Sequence, residues 1–226
     1  MRILSWLVAA GLALSPAAAF AEFQISIYGG ANTANSSTVE VNKNGIETDY
    51  DVDWTGDSFD MPPYWGIRGT YWLDGFNMPN WGVALDYVHA KALADLSNTA
   101  VGRDFSTLEF TDGLNLVTLN GIYDHPFTDR ISGYVGLGAG ASIPHVEVTE
   151  RNATTRTFEY QLAGPAVQGL VGADVKLGHG FSLFGEYKAS YTWNDTDLVG
   201  GGTLDTDILV HQFAVGLSYK FAGFGR

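Results

Sequence analysis

Three of the five histidines in the chain occur with acidic side chains near the ends of predicted strands. Imidazole and carboxylate groups together can ligate a divalent metal ion, as in sites with two histidines and one carboxylate, and can supply acid–base groups near neutral pH. The candidate catalytic residues are His89, Glu109, Asp112, His145, Glu147 and His211. The candidate metal ligands among them are His89, His145, Glu147 and His211. A polar collar without chemistry is the alternative interpretation.

The direction in which His145 and Glu147 point is open from the sequence. Strict alternation along their strand places both on the same face as Val135 and Leu137. Pro144 precedes them, and proline cannot donate a hydrogen bond to a neighbouring strand, so it can mark a bulge that resets the alternation. Both directions therefore remain possible at this point.

Two other groups of residues could carry chemistry. Ser190 could approach His211 across neighbouring strands, with Glu186 orienting the imidazole, but no G-x-S-x-G nucleophile elbow supports a serine hydrolase. The run Asp49–Asp53 has an aspartate at every second position and could attract Ca²⁺ or Mg²⁺. It lacks the glycine and closing glutamate of an EF-hand loop, which favours a solvated acidic loop.

Large apolar side chains alternate with small or polar ones along many segments, which indicates β-strands. We therefore expect strands to position all of the candidate residues. Between His211 and Phe221 every second residue is large and apolar, which is the period of a β-strand. The eight predicted strands lie near residues 23–34, 65–73, 81–87, 112–123, 131–148, 160–177, 181–193 and 211–221. The connections between them alternate between long and short. An even number of strands with this alternation predicts an all-β fold, an eight-stranded antiparallel up-and-down transmembrane β-barrel.

The N-terminus predicts export. A basic Arg2 precedes the apolar run 3–13, and the small residues Ala19 and Ala21 match the cleavage pattern of a secretory signal peptide. We expect residues 1–21 to be the signal peptide and residues 22–226 to form one barrel domain. A formal net charge of −13 makes nucleic acid an improbable partner, and the absence of cysteine excludes thiol chemistry.

The amphipathic pattern favours a barrel in lipid over a water-soluble barrel of the lipocalin type. The second face of the strands is rich in Gly, Ala and Ser, as expected of a narrow filled lumen, whereas a solvated face would be rich in Lys and Glu. From Phe213 to Phe221 the strand covers about 26 Å, which after tilting matches the apolar band of outer-membrane barrels. The charged residues of the second face are expected to pair with one another: Arg68, Asp86, Glu186, Lys188 and Lys220.

Several segments go beyond generic strand alternation. They are Ser58–Trp72, Ala84–Lys91, Leu108–Leu116, Ile143–Glu147 and Phe184–Lys188. With these segments the chain resembles the outer-membrane β-barrel proteins grouped with lipid A oxidase, over nearly all of the predicted mature chain. The resemblance transfers no catalytic residue.

What the resemblance implies is oxidation of the proximal glucosamine of lipid A to aminogluconate by O₂, at the extracellular rim of a barrel in the cell outer membrane. Reaction with O₂ usually needs a redox metal or an organic cofactor, and no organic-cofactor motif is present, so a divalent metal ion is the expected cofactor. The expected partners are outer-membrane lipid, lipopolysaccharide, periplasmic chaperones and the barrel assembly machinery. The alternative function is a non-enzymatic structural or surface barrel of the OmpA type.

Overall fold

The computed structural model of the protein describes residues 22–97 and 99–221. The predicted signal peptide therefore lies outside the described residues. Among the described residues, no helix is both long enough and apolar enough to cross a bilayer.

Strands make up most of the described chain. In chain order they are β1 (Glu22–Ala34), β2 (Ser37–Lys43), β3 (Ile46–Val52), β4 (Trp54–Thr55), β5 (Trp65–Trp72), β6 (Trp81–His89), β7 (Ala92–Ala94), β8 (Phe105–Phe110), β9 (Leu116–Pro126), β10 (Ile131–Ser142), β11 (His145–Glu150), β12 (Thr157–Tyr160), β13 (Gly164–Gly178), β14 (Phe181–Asp197) and β15 (Thr203–Phe221). A helix α1 (Val101–Asp104) precedes β8, and a 3₁₀ turn spans Asp74–Phe76.

Eight of these strands close into a barrel. Their order around the wall is β1, β5, β6, β9, β10, β13, β14 and β15, and every neighbouring pair is antiparallel. The ring closes where β15 pairs with β1, from Phe23 opposite Phe221 to Ala34 opposite Val210. The predicted eight-stranded antiparallel barrel is confirmed.

The side chains of the barrel wall alternate as the sequence predicts. On β15, Phe213, Val215 and Leu217 are exposed, whereas Ala214 and Gly216 between them are buried. The outer face is apolar and the interior is polar, which is the reverse of a water-soluble barrel. By the usual arrangement of such barrels, the end with short turns is periplasmic and the end with long connections is extracellular.

Ion pairs block the middle of the lumen, and a cavity of about 230 Å³ lies between them and the periplasmic end. Arg68 Nη1 lies 2.7 Å from Glu186 Oε2, and Lys188 Nζ lies 2.8 Å from Asp86 Oδ2. Lys188 links the two pairs, because its Nζ also lies 3.5 Å from Glu186 Oε1. Within the second pair, the Tyr28 hydroxyl donates to Asp86 Oδ1 at 2.5 Å and accepts from Lys188 Nζ. These four charged groups are buried, so each depends on its partner to offset the loss of hydration.

Lys220 is different from the other predicted lumen charges. Its side chain is 40% exposed at the periplasmic end of β15 and pairs with Glu22. The prediction of mutual pairing holds for Arg68, Asp86, Glu186 and Lys188, and Lys220 lies outside that network.

The long extracellular connections are more ordered than the sequence pattern predicts. Residues 35–60, 92–108, 149–158 and 194–206, expected to be loops, contain β2, β3, β4, β7, parts of β8 and β11, and the ends of β12, β14 and β15. β2 and β3 extend the barrel sheet beyond β15, and β4, β7, β8, β11 and β12 form a second sheet. Apolar side chains such as Val39, Val52, Phe105, Phe110 and Val146 are buried in a core above the lumen. These segments are strands because that core buries one side of each.

The lumen network gives a stability prediction. Lys188→Met leaves the Asp86 carboxylate buried without its cation, so we expect the free energy of unfolding to fall by about 3–5 kcal/mol. The same substitution at the exposed position, Lys220→Met, is expected to cost no more than about 1 kcal/mol. Urea unfolding of the barrel in lipid vesicles, followed by the gel shift between folded and unfolded protein, measures both. Equal losses in the two variants would contradict the role assigned to the network.

Candidate functional site

The strand that carries His145 and Glu147 keeps its alternation across Pro144. Ser142 at the end of β10 is buried, and Val146 on β11 is buried in the extracellular core. His145 and Glu147 are on the opposite face, where the ladder pairs them with the exposed aromatic residues of β12. The question left open by the sequence is thereby answered: both side chains lie on the face of the extracellular sheet opposite Val146. Phe158 and Tyr160 cover His145 on that face, so that the residue is only 4% exposed.

A compact group of three potential ligands forms on this face. His145 Nδ1 lies 3.1 Å from Glu147 Oε1 and 3.7 Å from Asp112 Oδ2, and one ligand atom from each residue lies within 4.8 Å of the others. The side chain of Asp112 is 41% exposed, so the group is open to the surroundings on that side. An imidazole nitrogen with two carboxylate oxygens is a donor set that suits divalent transition metals such as Mn²⁺, so these residues fit the expected cofactor.

Two neighbouring elements fix the imidazole of His145. Its backbone N–H donates to the carbonyl of Gly113 at 2.9 Å, which ties β11 to the turn that carries Asp112. Its ring packs edge-on against Phe158 and Tyr160 of β12, with ring centroids 4.5 and 4.6 Å away. The ring is therefore held by packing, with Nδ1 directed at the carboxylates.

The group carries an excess of negative charge. Burial raises the pKa of the Glu147 carboxyl above its ordinary value, and the neighbouring Glu109, its ladder partner on β8, raises it further. The contact with His145 acts in the opposite direction but does not cancel the rise. A bound divalent cation would offset this repulsion, because it stabilises the ionised form of each carboxylate.

His89 lies beside the group without joining it. Its Nδ1 is 3.1 Å from Asn115 Oδ1, and its ring stacks on Trp65 at 6.5 Å between centroids. A side chain at Gly113 would come within 2.4 Å of His89 Nδ1, and Gly113 has a φ of +97°, so glycine is needed on both counts. His89 therefore packs against the turn that presents Asp112 and acts on the group through that turn.

His211 lies apart from the other candidates. Tyr187 OH is 2.6 Å from its Nδ1, and Asn35 Oδ1 is 3.2 Å from its Nε2. In the barrel, β13 and β14 separate its strand from β10, which leads into β11. The predicted metal set of His89, His145, Glu147 and His211 is thus not brought together, because strand ends that share a rim are spread around its circumference. Asp112 takes the third place beside His145 and Glu147.

The serine hydrolase alternative does not fit the geometry. Ser190 is buried in the lumen, where its hydroxyl contacts Gln168 and Gln212. His211 is the ladder partner of Ala189 and so projects from the opposite face of the wall. A nucleophile and a base on opposite faces of one sheet cannot exchange a proton.

The acidic loop forms a second cluster with a different composition. Glu40, Glu47 and Asp49 lie together on the hairpin of β2 and β3, whereas Asp51 and Asp53 are outside this cluster. All three residues lie on the solvent side of the hairpin, and the cluster that they form contains no histidine. The cluster matches the solvated acidic surface favoured by the sequence pattern.

Sequence reasoning missed three residues of the site. Phe158 packs against His145, Asn115 holds the turn, and Arg156 stacks over Phe158 with its guanidinium carbon 4.1 Å from the ring centroid. The signal for Phe158 was its alternation with Tyr160. No local pattern pointed to Asn115, whose role depends on its contact with His89 on another strand.

Sequence comparison defines the class of protein. Residues 4–221 match the model of the outer membrane protein beta-barrel domain, and the chain belongs to this family. It therefore lies in the cell outer membrane as a lipid-embedded barrel. No curated protein sequence matches the chain.

Solved outer-membrane proteins resemble the fold at low sequence identity. Neisserial surface protein A is 11% identical with a TM-score of 0.47, and the match covers 89% of this chain and 97% of that one. The attachment invasion locus protein Ail of Yersinia pestis, solved with the heparin analogue sucrose octasulfate, is 14% identical with a TM-score of 0.41, covering 89% and 99%. The outer membrane protease OmpT of Escherichia coli is 10% identical with a TM-score of 0.41, covering 89% and 96%.

The geometry of the group predicts which histidine matters for metal binding. We expect the purified barrel to bind one Co²⁺ or Mn²⁺, and His145→Ala to weaken that binding at least about tenfold, because it removes the central ligand. His211→Ala is the matched control and should leave the affinity unchanged. Isothermal titration calorimetry measures all three proteins. An equal loss in the two histidine variants would show that the ligands are not those of the compact group.

Proposed function

We propose that the protein is a lipid A oxidase of the outer leaflet, converting the proximal glucosamine of lipid A to aminogluconate with O₂. The observation that carries the proposal is the group of Asp112, His145 and Glu147 on the outer face of the barrel extension. A site that faced the lumen would be closed to lipid, because paired charges block the lumen. The site on the outer face meets the headgroups of the surrounding leaflet through the side chain of Asp112, which is 41% exposed, whereas His145 is buried behind it.

Apolar side chains surround the polar group. Phe158 and Tyr160 beside His145 are 47% and 60% exposed, and Trp65 next to His89 is 43% exposed. The loop that precedes β5 carries Phe59 and Met61, the former 82% exposed. Aromatic side chains at this level are typical of the membrane interface. A polar group bordered by exposed apolar residues suits an amphiphilic substrate such as lipid A.

The overall reaction requires a two-electron oxidation at C1 of the sugar. The substrate is therefore lipid A whose C1 hydroxyl carries no phosphate. The C1–H and O–H bonds of this hemiacetal break, two electrons and two protons pass to O₂ to give H₂O₂, and the sugar becomes a lactone. Addition of water to the lactone gives the aminogluconate, which carries one more oxygen atom than the starting sugar.

The residues of the site divide this work. Asp112, His145 and Glu147 would hold a divalent metal ion, which when bound would supply the redox chemistry that reaction with O₂ needs. Glu109, next to Glu147 across the ladder, is the carboxylate positioned to accept the proton from the sugar hydroxyl. His89 and Asn115 are positioning residues, because they hold the turn that presents Asp112.

Mass spectrometry of lipid A tests the proposal. We expect lipid A from cells that make the protein to gain the mass of one oxygen, and cells that make His145→Ala or Glu147→Gln to lose at least about 99% of this product, as for removal of a catalytic group worth 10²-fold or more. His125→Ala is the matched control, because His125 is exposed at the periplasmic end and lies far from the site.

Two outcomes decide between oxidation and a structural role. Identical lipid A spectra with and without the folded protein would leave the OmpA-like structural barrel as the remaining function. Unchanged oxidation in His145→Ala and Glu147→Gln would reject the site while keeping the activity. Folding of each variant is checked by the gel shift of the barrel.

A further inference from the structure

The cavity of about 230 Å³ in the periplasmic half of the lumen is lined mainly by polar side chains. At its inner end are Arg68, Tyr134 and Phe184, and its mouth lies beside Asp74 and Asn80 of a periplasmic turn. At about 30 Å³ per molecule, roughly eight waters of the liquid occupy this volume. The candidate site for lipid A lies at the other end of the barrel, beyond the ion pairs, so the cavity is independent of the proposed function.

The inner end of the cavity presents hydrogen-bond donors that lack acceptors. Arg68 is only 4% exposed, and of the five N–H groups of its guanidinium one donates to a described residue, from Nη1 to Glu186 Oε2 at 2.7 Å. Tyr134 is 9% exposed, and its buried hydroxyl has no hydrogen-bond partner within residues 22–97 and 99–221. Because both side chains line the cavity, an oxygen acceptor bound there would satisfy both.

Two carboxylates lie nearer the mouth. Asp174 Oδ2 accepts a hydrogen bond from Ser132 Oγ at 2.6 Å, and Asp124 is the ladder partner of Tyr134. Since Ser132 and Tyr134 are both on β10, the two carboxylates flank that strand from β13 and β9. In the described part of the chain neither carboxylate forms an ion pair. A positive charge placed between them would be favourable.

The lysines of the cavity do not supply that positive charge. Lys220 pairs with Glu22 at the rim. Lys176 lines the mouth, but it is exposed and lies more than 4.0 Å from both carboxylates. The cavity thus offers unused donors at its inner end and unused carboxylates toward its mouth, which is the complement of a zwitterion.

The spacing of the two ends matches a dipeptide. Glu186, the partner of Arg68, is opposite Gly172 on β13, and Asp174 lies two residues nearer the mouth on the same strand. Two residues of a strand cover about 7 Å. In an extended dipeptide the ammonium and the carboxylate are also about 7 Å apart, whereas in a single amino acid they are about half as far apart.

We propose that the cavity binds a short zwitterionic peptide from the periplasmic side. Its carboxylate would accept hydrogen bonds from Arg68 and Tyr134, and its ammonium would lie between Asp124 and Asp174. A simple anion would suit the cavity less well, because Glu186 already balances Arg68 and the anion would have to pass the two carboxylates. A simple cation would leave the donors of the inner end without acceptors.

Titration with dipeptides tests the proposal. The detergent-purified barrel is titrated with alanyl-alanine in a calorimeter, and separately with N-acetyl-alanyl-alanine, with alanyl-alanine amide and with alanine. The acetylated peptide lacks the ammonium, the amide lacks the carboxylate, and alanine has both charges at a shorter spacing. We expect one bound alanyl-alanine, and at least about tenfold weaker binding of the other three compounds, because each loses one charge-assisted contact.

Variants connect the binding to the cavity. Tyr134→Phe and Asp174→Asn are each expected to weaken the binding of alanyl-alanine at least about threefold, because each removes one polar contact and keeps the shape of the side chain. Tyr191→Phe and Asp207→Asn are the matched controls. Tyr191 and Asp207 form a hydrogen bond of 3.0 Å at the exposed extracellular end, and both controls should bind like the wild type.

Four results would overturn the proposal. They are no binding of alanyl-alanine by the folded wild type, equal binding of the acetylated or amidated peptide, equal binding of alanine, and wild-type affinity in the folded Tyr134→Phe and Asp174→Asn variants. The gel shift of the barrel confirms folding of each variant. If Asp174→Asn does not fold, Asp124→Asn takes its place with the same expected direction.

Discussion

The hydrogen bonds that close β15 onto β1 are the constraint on which the rest of the structure depends. Within hydrocarbon a strand edge has no water to satisfy its N–H and C=O groups, so the sheet must close on itself. The closing ladder runs from Phe23 opposite Phe221 to Ala34 opposite Val210. Once the ring is closed, side chains must alternate between lipid and lumen. An eight-stranded lumen is narrow, so the charges that it contains must pair, as Arg68 does with Glu186 and Lys188 does with Asp86.

A blocked lumen also determines where chemistry can occur. Substrate cannot enter between the lumen ion pairs without separating charges that depend on each other. Potential ligands must therefore collect above the lumen or on the outer face. The alternation of side chains continues from β10 into β11 and places His145 and Glu147 on the outer face of the sheet. The turn before β9 adds Asp112 to them. The extracellular sheets support this arrangement, because their core buries Val146 on the inner side while leaving the site on the outer side.

Periodicity predicted the barrel wall well, because each strand there alternates over its full length between two different media. It failed in the extracellular segments such as Ser37–Val52, where short strands alternate against a small core and carry many polar residues. The site was predicted only in part for a related reason. His145 and Glu147 lie two positions apart on one strand, so their spacing along the chain is enough to predict that they are close. The contact of Asp112 with His145 and the separation of His211 from both depend on strand order around the ring, which periodicity does not contain.

The outward-facing residues of β10 and β11 form one alternating series that passes through two chemically different regions, the hydrocarbon and the headgroup level. Leu137, Ala139 and Ala141 face hydrocarbon, Ile143 continues the same series, and the buried His145 and the partly exposed Glu147 follow at the level of the headgroups. A molecule that lies along this path must be apolar at one end and polar at the other. The alternation that forms the lipid-facing wall thus also places the candidate site at the level of the headgroups.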